Sequence, residues 1–159
     1  MNIYSYIHYY CIISFAYNNG DMRKILFLCH GSICRSPMAE FILKDKIRKL
    51  NRETEFEVFS KALSNEEIGN DIYPRAKKCL DRHNIPYTRH FSSRFTIDDY
   101  NYYDEIYVMD ESNLARTKYV TDDPLNKIKL LNGYIEDPWY TDNFDKVFDQ
   151  INEGINKIL

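Results

Sequence analysis

The chain has 159 residues, 44% hydrophobic and 28% charged, the balance of a single globular domain long enough to bury a core. A net charge of -3 gives no basis for nucleic-acid binding, and the basic run Lys44, Lys46, Arg48, Lys49 and Arg52, interleaved with Ile47 and Leu50, reads as the solvated face of a helix. The four cysteines, at 11, 29, 34 and 79, have neither the paired spacing of a zinc site nor the density of a disulfide framework, so a reducing cytoplasm is expected.

Residues 1–21 stand apart, rich in Tyr and Ile. They lack the basic n-region and small-residue cleavage site of a signal peptide, and the apolar run is too short and tyrosine-laden for a membrane span. The expectation is an upstream stretch that is not natively translated, with Met22 the true start; a packing or interfacial extension is the alternative. The domain proper is then 22–159.

From there the elements alternate. Lys24 to Cys29 is a continuous apolar run, as in a strand buried on both faces of a parallel sheet. After a short loop, Ser36-Pro37 opens a helix whose apolar positions Met38, Phe41, Ile42, Ile47 and Leu50 fit helical spacing. Phe56 to Ser60 reads as a second strand, and a helix from about Pro74 to Arg82 follows a turn at Asn70. Thr96 caps a short helix through Tyr102, Glu105 to Met109 is a third strand, and Asp110 caps the next helix. Ile128 to Leu131 is a weaker fourth strand, and Phe144 to Leu159 is an amphipathic closing helix. Alternating strands and helices imply an α/β sandwich with a mainly parallel sheet.

The segment that carries chemistry is Cys29-His30-Gly31-Ser32-Ile33-Cys34-Arg35-Ser36. A strand ending in Cys, a five-residue loop and an Arg at the mouth of a helix make a phosphate cradle. Backbone N–H groups of such a loop can point inward, and the helix N-terminus adds its positive end. Gly31 is expected to supply the backbone conformation closed to other residues and to let an oxyanion approach. Arg35 can grip two phosphate oxygens at once, which Lys cannot. These surroundings favour a thiolate at Cys29, hence a nucleophile, and Ser36 can donate a hydrogen bond to its sulfur. A cysteine at a strand end is more often a small core residue. Here the strand before it and the Arg and helix after it favour catalysis.

Phe27 to Pro37 resembles the signature loop of the low-molecular-weight protein tyrosine phosphatases, and Glu136-Asp137-Pro138-Trp139-Tyr140 resembles that family's acid loop. Met109 to Leu114 and His83 to Pro86 also look like family segments, so the resemblance runs from Met22 to the C-terminus. It implies a four-stranded parallel sheet between helices, no metal or organic cofactor, and a covalent phosphocysteine mechanism on phosphotyrosine proteins. Asp137 would be the general acid and base, with His30, Gly31, Ser32, Ile33, Cys34 and Ser36 around the phosphate and Trp139 and Tyr140 as aromatic walls. Core packing is the competing role for Trp139. Ile33, apolar where phosphoarginine-preferring relatives tend to carry Thr, favours a phenyl ring.

The sequence departs from the family pattern in places. Ser32 replaces an Asn that pins the loop, so the loop is held differently or is less stable. His30 brings a titratable ring to the rim, and Glu66 stands where many relatives place an aromatic residue. Cys34, one loop turn from Cys29, is the partner with which relatives form a protective disulfide; a buried spacer thiol is the alternative. His83 is expected to join a hydrogen-bond network behind the loop, as a relative's histidine does, and His90 has no assigned role. Cys79 reads as packing. Three other readings are weaker: an arsenate reductase needs a downstream cysteine pair, which this chain lacks after Cys79, and has no Asp-Pro acid loop; a sugar-transport phosphocarrier would not need Arg35 or Asp137; and a phosphate-binding module would not keep all three of Cys29, Arg35 and Asp137.

Overall fold

In the computed structural model, residues 21–159 are described; apart from Asp21, the stretch expected to be untranslated lies outside the described residues. Four strands form one parallel sheet in the order β2-β1-β3-β4: β1 (Arg23–Cys29), β2 (Phe56–Ala62), β3 (Glu105–Val108) and β4 (Ile128–Leu130). The helices are α1 (Arg35–Lys49), α2 (Pro74–Arg82), α3 (Ile97–Tyr102), α4 (Glu111–Thr117), α5 (Pro138–Thr141) and α6 (Phe144–Ile158). The α/β sandwich with a four-stranded parallel sheet and the phosphate loop between first strand and first helix is therefore the observed architecture.

The unbroken apolar run of β1 is explained by its central place, with Ile25 to Leu28 fully buried. Ile25, Phe27 and Cys29 face a cluster with Met38, Ile42, Leu80, Val147 and Ile151, drawn from α1, α2 and α6. Leu26 and Leu28 face the opposite cluster with Phe95, Tyr100, Ile106 and Val108. The basic run of α1 is the polar side of that helix: Lys44 pairs with Glu40, Arg48 and Lys49 with Asp45, and Arg52 with Glu55. Thr96 and Asp99 form a reciprocal capping box on α3, and Asp110 caps α4. Two elements were not expected from the sequence, α5 and the 3-10 turn Glu53–Glu55, both too short to show a period. No helix among the described residues is long and apolar enough to cross a membrane.

Parallel sheets of this kind bind ligands outside the carboxyl ends of their strands. Cys29 ends β1, Asp110 lies two residues beyond β3, and Asp137 lies beyond β4, so three separate connections deliver polar groups to one edge.

Candidate active site

The loop from Cys29 to Arg35 turns its carbonyls outward, and each has a partner behind it. Leu63 N–H donates to Cys29 O at 3.0 Å and Ser64 N–H to His30 O at 3.0 Å. Ser92 Oγ donates to Gly31 O at 2.7 Å, and His90 Nε2 lies 2.8 Å from Ser32 O. Tyr73 N–H donates to Ile33 O at 2.8 Å and Met38 N–H to Cys34 O at 3.1 Å. With the carbonyls held back, the N–H groups of Gly31 to Cys34 have no acceptor among the described residues. Gly31, Ile33 and Cys34 line a concavity at the start of α1, whose N-terminus carries neither a side-chain cap nor an acidic residue in its first turn. That is an anion cradle by backbone geometry.

Two sequence expectations are corrected here. The residue in the left-handed region is Ser32, φ 52°, not Gly31. At Gly31 a Cβ would crowd Glu67 Cγ at 3.0 Å, so a larger residue there requires the Glu67 side chain to shift. A non-glycine residue in that region costs about 1–2 kcal/mol, and the bonds to Ser32 offset it. The second correction concerns the histidine. His83 is remote from the loop, stacked on Phe148 at 3.7 Å and bonded to Asp145. His90 is the ring behind the loop. Because a carbonyl only accepts, its Nε2 must carry the proton it gives to Ser32 O, and the same atom lies 3.3 Å from Ser32 Oγ. The sequence offered no periodic or motif signal for His90; it sits on an irregular segment between α2 and α3.

At the base of the cradle, Ser36 N–H donates to Cys29 Sγ at 3.4 Å, and the Ser36 hydroxyl lies 3.2 Å from the same sulfur. The Ser36 and Ser32 hydroxyls are 2.9 Å apart. Arg35 is buried and held from behind: Nη1 donates to Asp110 Oδ2 at 2.6 Å and to Ile135 O at 2.9 Å, while Nη2 reaches Asp137 Oδ2 at 3.2 Å. Burial opposes its charge, but Cys29, Asp110 and Asp137 outweigh this and hold it above the ordinary arginine value. Asp110, legible in the sequence only as a helix cap, thus does two jobs, since its other oxygen accepts from Asn113 N–H at 2.7 Å. Burial, and next the nearby Cys29, push the Cys34 thiol far up from its usual value.

The cleft above encloses about 390 Å³ and is lined by Cys29, Arg35, Ile33, Asp110, Asp137 and Trp139, among others. Asp137 caps α5, accepting from Trp139 N–H at 3.1 Å through the oxygen that does not face Arg35. Trp139 is 56% exposed, so core packing is not its role; its ring sits 5.2 Å from that of Tyr73, which stacks in turn on Phe144. Tyr140 is 84% exposed at the cleft mouth. On the opposite rim His30 Nε2 meets Glu66 Oε2 at 2.9 Å, so the two departures from the family pattern contact each other.

Residues 24–159 match the family described as low molecular weight phosphotyrosine protein phosphatase. A relative bearing that name from Gallus gallus is 36% identical over 143 residues, covering 82% of this chain and 90% of its own. Among solved structures, the low molecular weight protein tyrosine phosphatase of Streptococcus pyogenes superposes with a TM-score of 0.81 at 33% identity, covering 87% of this chain and 91% of that one. YfkJ from Bacillus subtilis gives 0.84 at 29% identity, with 88% and 94% covered.

Proposed function

This chain belongs to the low molecular weight phosphotyrosine protein phosphatase family and is a cysteine-dependent protein tyrosine phosphatase, and from that premise we propose how its own residues do the work. The carrying observation is the cradle itself: inward N–H groups, buried Arg35 and Cys29 Sγ within one concavity. A phosphoryl dianion seats on the loop N–H groups and draws Arg35 Nη2 from Asp137 onto its oxygens. Cys29 thiolate attacks phosphorus, the P–O bond to the leaving group breaks, and a phosphocysteine forms. Asp137, acting as general acid, gives a proton to the leaving oxygen; it then, as general base, removes a proton from the water that cleaves the S–P bond. His90 donating to Ser32 lets the Ser32 hydroxyl donate to Ser36, and the Ser36 hydroxyl to the sulfur. That relay supports the thiolate both as nucleophile and as leaving group.

Gly31, Ser32, Ile33 and Cys34 contribute the loop around the phosphate, and Trp139 and Tyr140 flank the ring. Ile33, at the cleft wall, favours a phenyl ring over a guanidinium, so phosphotyrosine proteins are the substrates. Glu66, in contact with His30 on the rim, disfavours acidic flanking sequences. Cys34, which lines the same cleft as Cys29, captures an oxidised Cys29 as a disulfide, and the cytoplasm is the compartment in which both thiols stay reduced.

Hydrolysis of para-nitrophenyl phosphate by the wild type, Cys29→Ser and Asp137→Ala tests the mechanism. Activity without added metal is expected, with near-complete loss in Cys29→Ser and a fall of roughly two to four orders of magnitude in Asp137→Ala with poor leaving groups. Undiminished turnover by Cys29→Ser would sink it. Comparison of phosphotyrosine with phosphoarginine in the wild type and Ile33→Thr tests the substrate: the variant should shift toward phosphoarginine, and a wild-type preference for phosphoarginine would overturn the assignment.

A further inference from the structure

Where α2 meets the start of α6, a second set of reactive side chains converges that the phosphatase reaction does not use. Cys79 lies in α2 and His83 directly follows its end, four residues on, so both point to one face; Asp145 comes from the first turn of α6, 62 residues further along. Their ligand atoms all lie within 4.8 Å of one another. We propose that Cys79, His83 and Asp145 form a binding site for a thiophilic divalent cation of the zinc class, with water as fourth ligand.

The separations carry the argument. A tetrahedral zinc centre has Zn–S of about 2.3 Å and Zn–N and Zn–O of about 2.0–2.1 Å, which fixes ligand-to-ligand edges of about 3.3 Å for N···O and 3.6 Å for S···O. Here His83 Nε2 to Asp145 Oδ1 is 3.1 Å, and Cys79 Sγ to Asp145 Oδ1 is 3.6 Å. The orientation of the His83 ring is fixed by its stack on Phe148, so Nε2 is held toward the carboxylate rather than free to turn. Cys79 is fully buried, while His83 is half-buried and Asp145 exposed, which leaves an open side for entry and for a water.

Two groups compete with the cation. Arg82 Nη2 donates to both oxygens of Asp145, at 3.0 and 3.1 Å, and must swing into solvent. The Cys79 thiol, pushed up to about 12 by burial and then by Asp145, must give up its proton to solvent as the metal–sulfur bond forms. Thiolate, carboxylate and neutral imidazole together balance a divalent charge. The paired spacing sought in the sequence is absent because the third ligand comes from a distant helix.

Cobalt(II) is the probe, since its bond to a thiolate absorbs light and zinc's does not. In the full chain carrying Cys11→Ser, Cys29→Ser and Cys34→Ser, Cys79 is the sole thiol. A sulfur-to-cobalt charge-transfer band saturating at one equivalent and displaced by zinc is expected. His83→Gln, at a half-buried position, and Asp145→Asn, at an exposed one, should each weaken binding by more than about tenfold, with the far-UV spectrum checking that each variant is folded. Arg82→Gln should tighten it, because the competing cation is gone. Absence of the band, or a band of undiminished affinity in both His83→Gln and Asp145→Asn, would overturn the proposal.

Discussion

Cys29 and Cys79 are both buried thiols in the same hydrophobic cluster, yet what meets them differs in sign. Cys29 ends a strand, receives Ser36 N–H and lies beside the cationic Arg35. Cys79 sits mid-helix against Phe144 O at 3.4 Å and the Asp145 carboxylate. Positive and donating surroundings stabilise a thiolate; carbonyl and carboxylate oxygens oppose it unless a cation intervenes. The histidines divide in the same way: His90 donates to the phosphate loop, whereas His83 faces a carboxylate. Burial alone therefore does not mark a nucleophile in this molecule. The sign of the groups that close around the sulfur does.

The largest expected difference between the two thiols is in alkylation. Burial, and next Asp145, push the Cys79 thiol well above its usual value, so at pH 7 it is held as the thiol. Iodoacetate at neutral pH, followed by peptide mapping, should modify Cys29 more than about 100-fold faster than Cys79, with inorganic phosphate protecting Cys29 alone. Equal rates would erase the contrast. A smaller effect is expected from the support behind the loop. His90→Ala removes the donor to Ser32 O, and phosphate inhibition and turnover of para-nitrophenyl phosphate should both weaken about tenfold. His90→Gln, which keeps an N–H donor at similar reach, should recover most of the loss. Failure of that rescue would mean that His90 acts by filling space and not by holding the carbonyl.

The sheet and its helices were legible because β1 is a continuous apolar run, Thr96 and Asp110 cap their helices, and α6 has a clear amphipathic period. The loop was legible because its residues are contiguous and each has one chemical purpose. What escaped was everything assembled across the chain. Asp110 grips Arg35 over a separation of 75 residues, and His90 reaches Ser32 over 58. Nothing local announces either contact. Ser32 shows a different limit: the sequence located the departure from Asn, but only the structure shows that the left-handed residue is Ser32 and that the Ser36 hydroxyl and the His90 ring hold it.

His90 is itself positioned by a carboxylate, which makes the loop's support sensitive to acid. Asp71 Oδ1 accepts from His90 N–H at 2.9 Å and from Ile72 N–H at 2.7 Å, and Oδ2 accepts from Lys77 Nζ at 2.6 Å. Burial would raise this carboxyl, but the bonds from Lys77, His90 and Ile72 prevail and hold it at about 2. Because the folded value lies below the ordinary one near 3.8, the stabilisation is complete above about pH 4 and is lost as pH falls toward 2. Allowing for partial exposure it amounts to about 1–2 kcal/mol. Urea unfolding at a series of pH values should show this loss in the wild type, and Asp71→Asn should be less stable at pH 7 with a flatter profile between pH 4 and 2. An unchanged slope in the variant would show that other carboxylates carry the acid sensitivity, and would leave His90 anchored by its bonds to Ser32 alone.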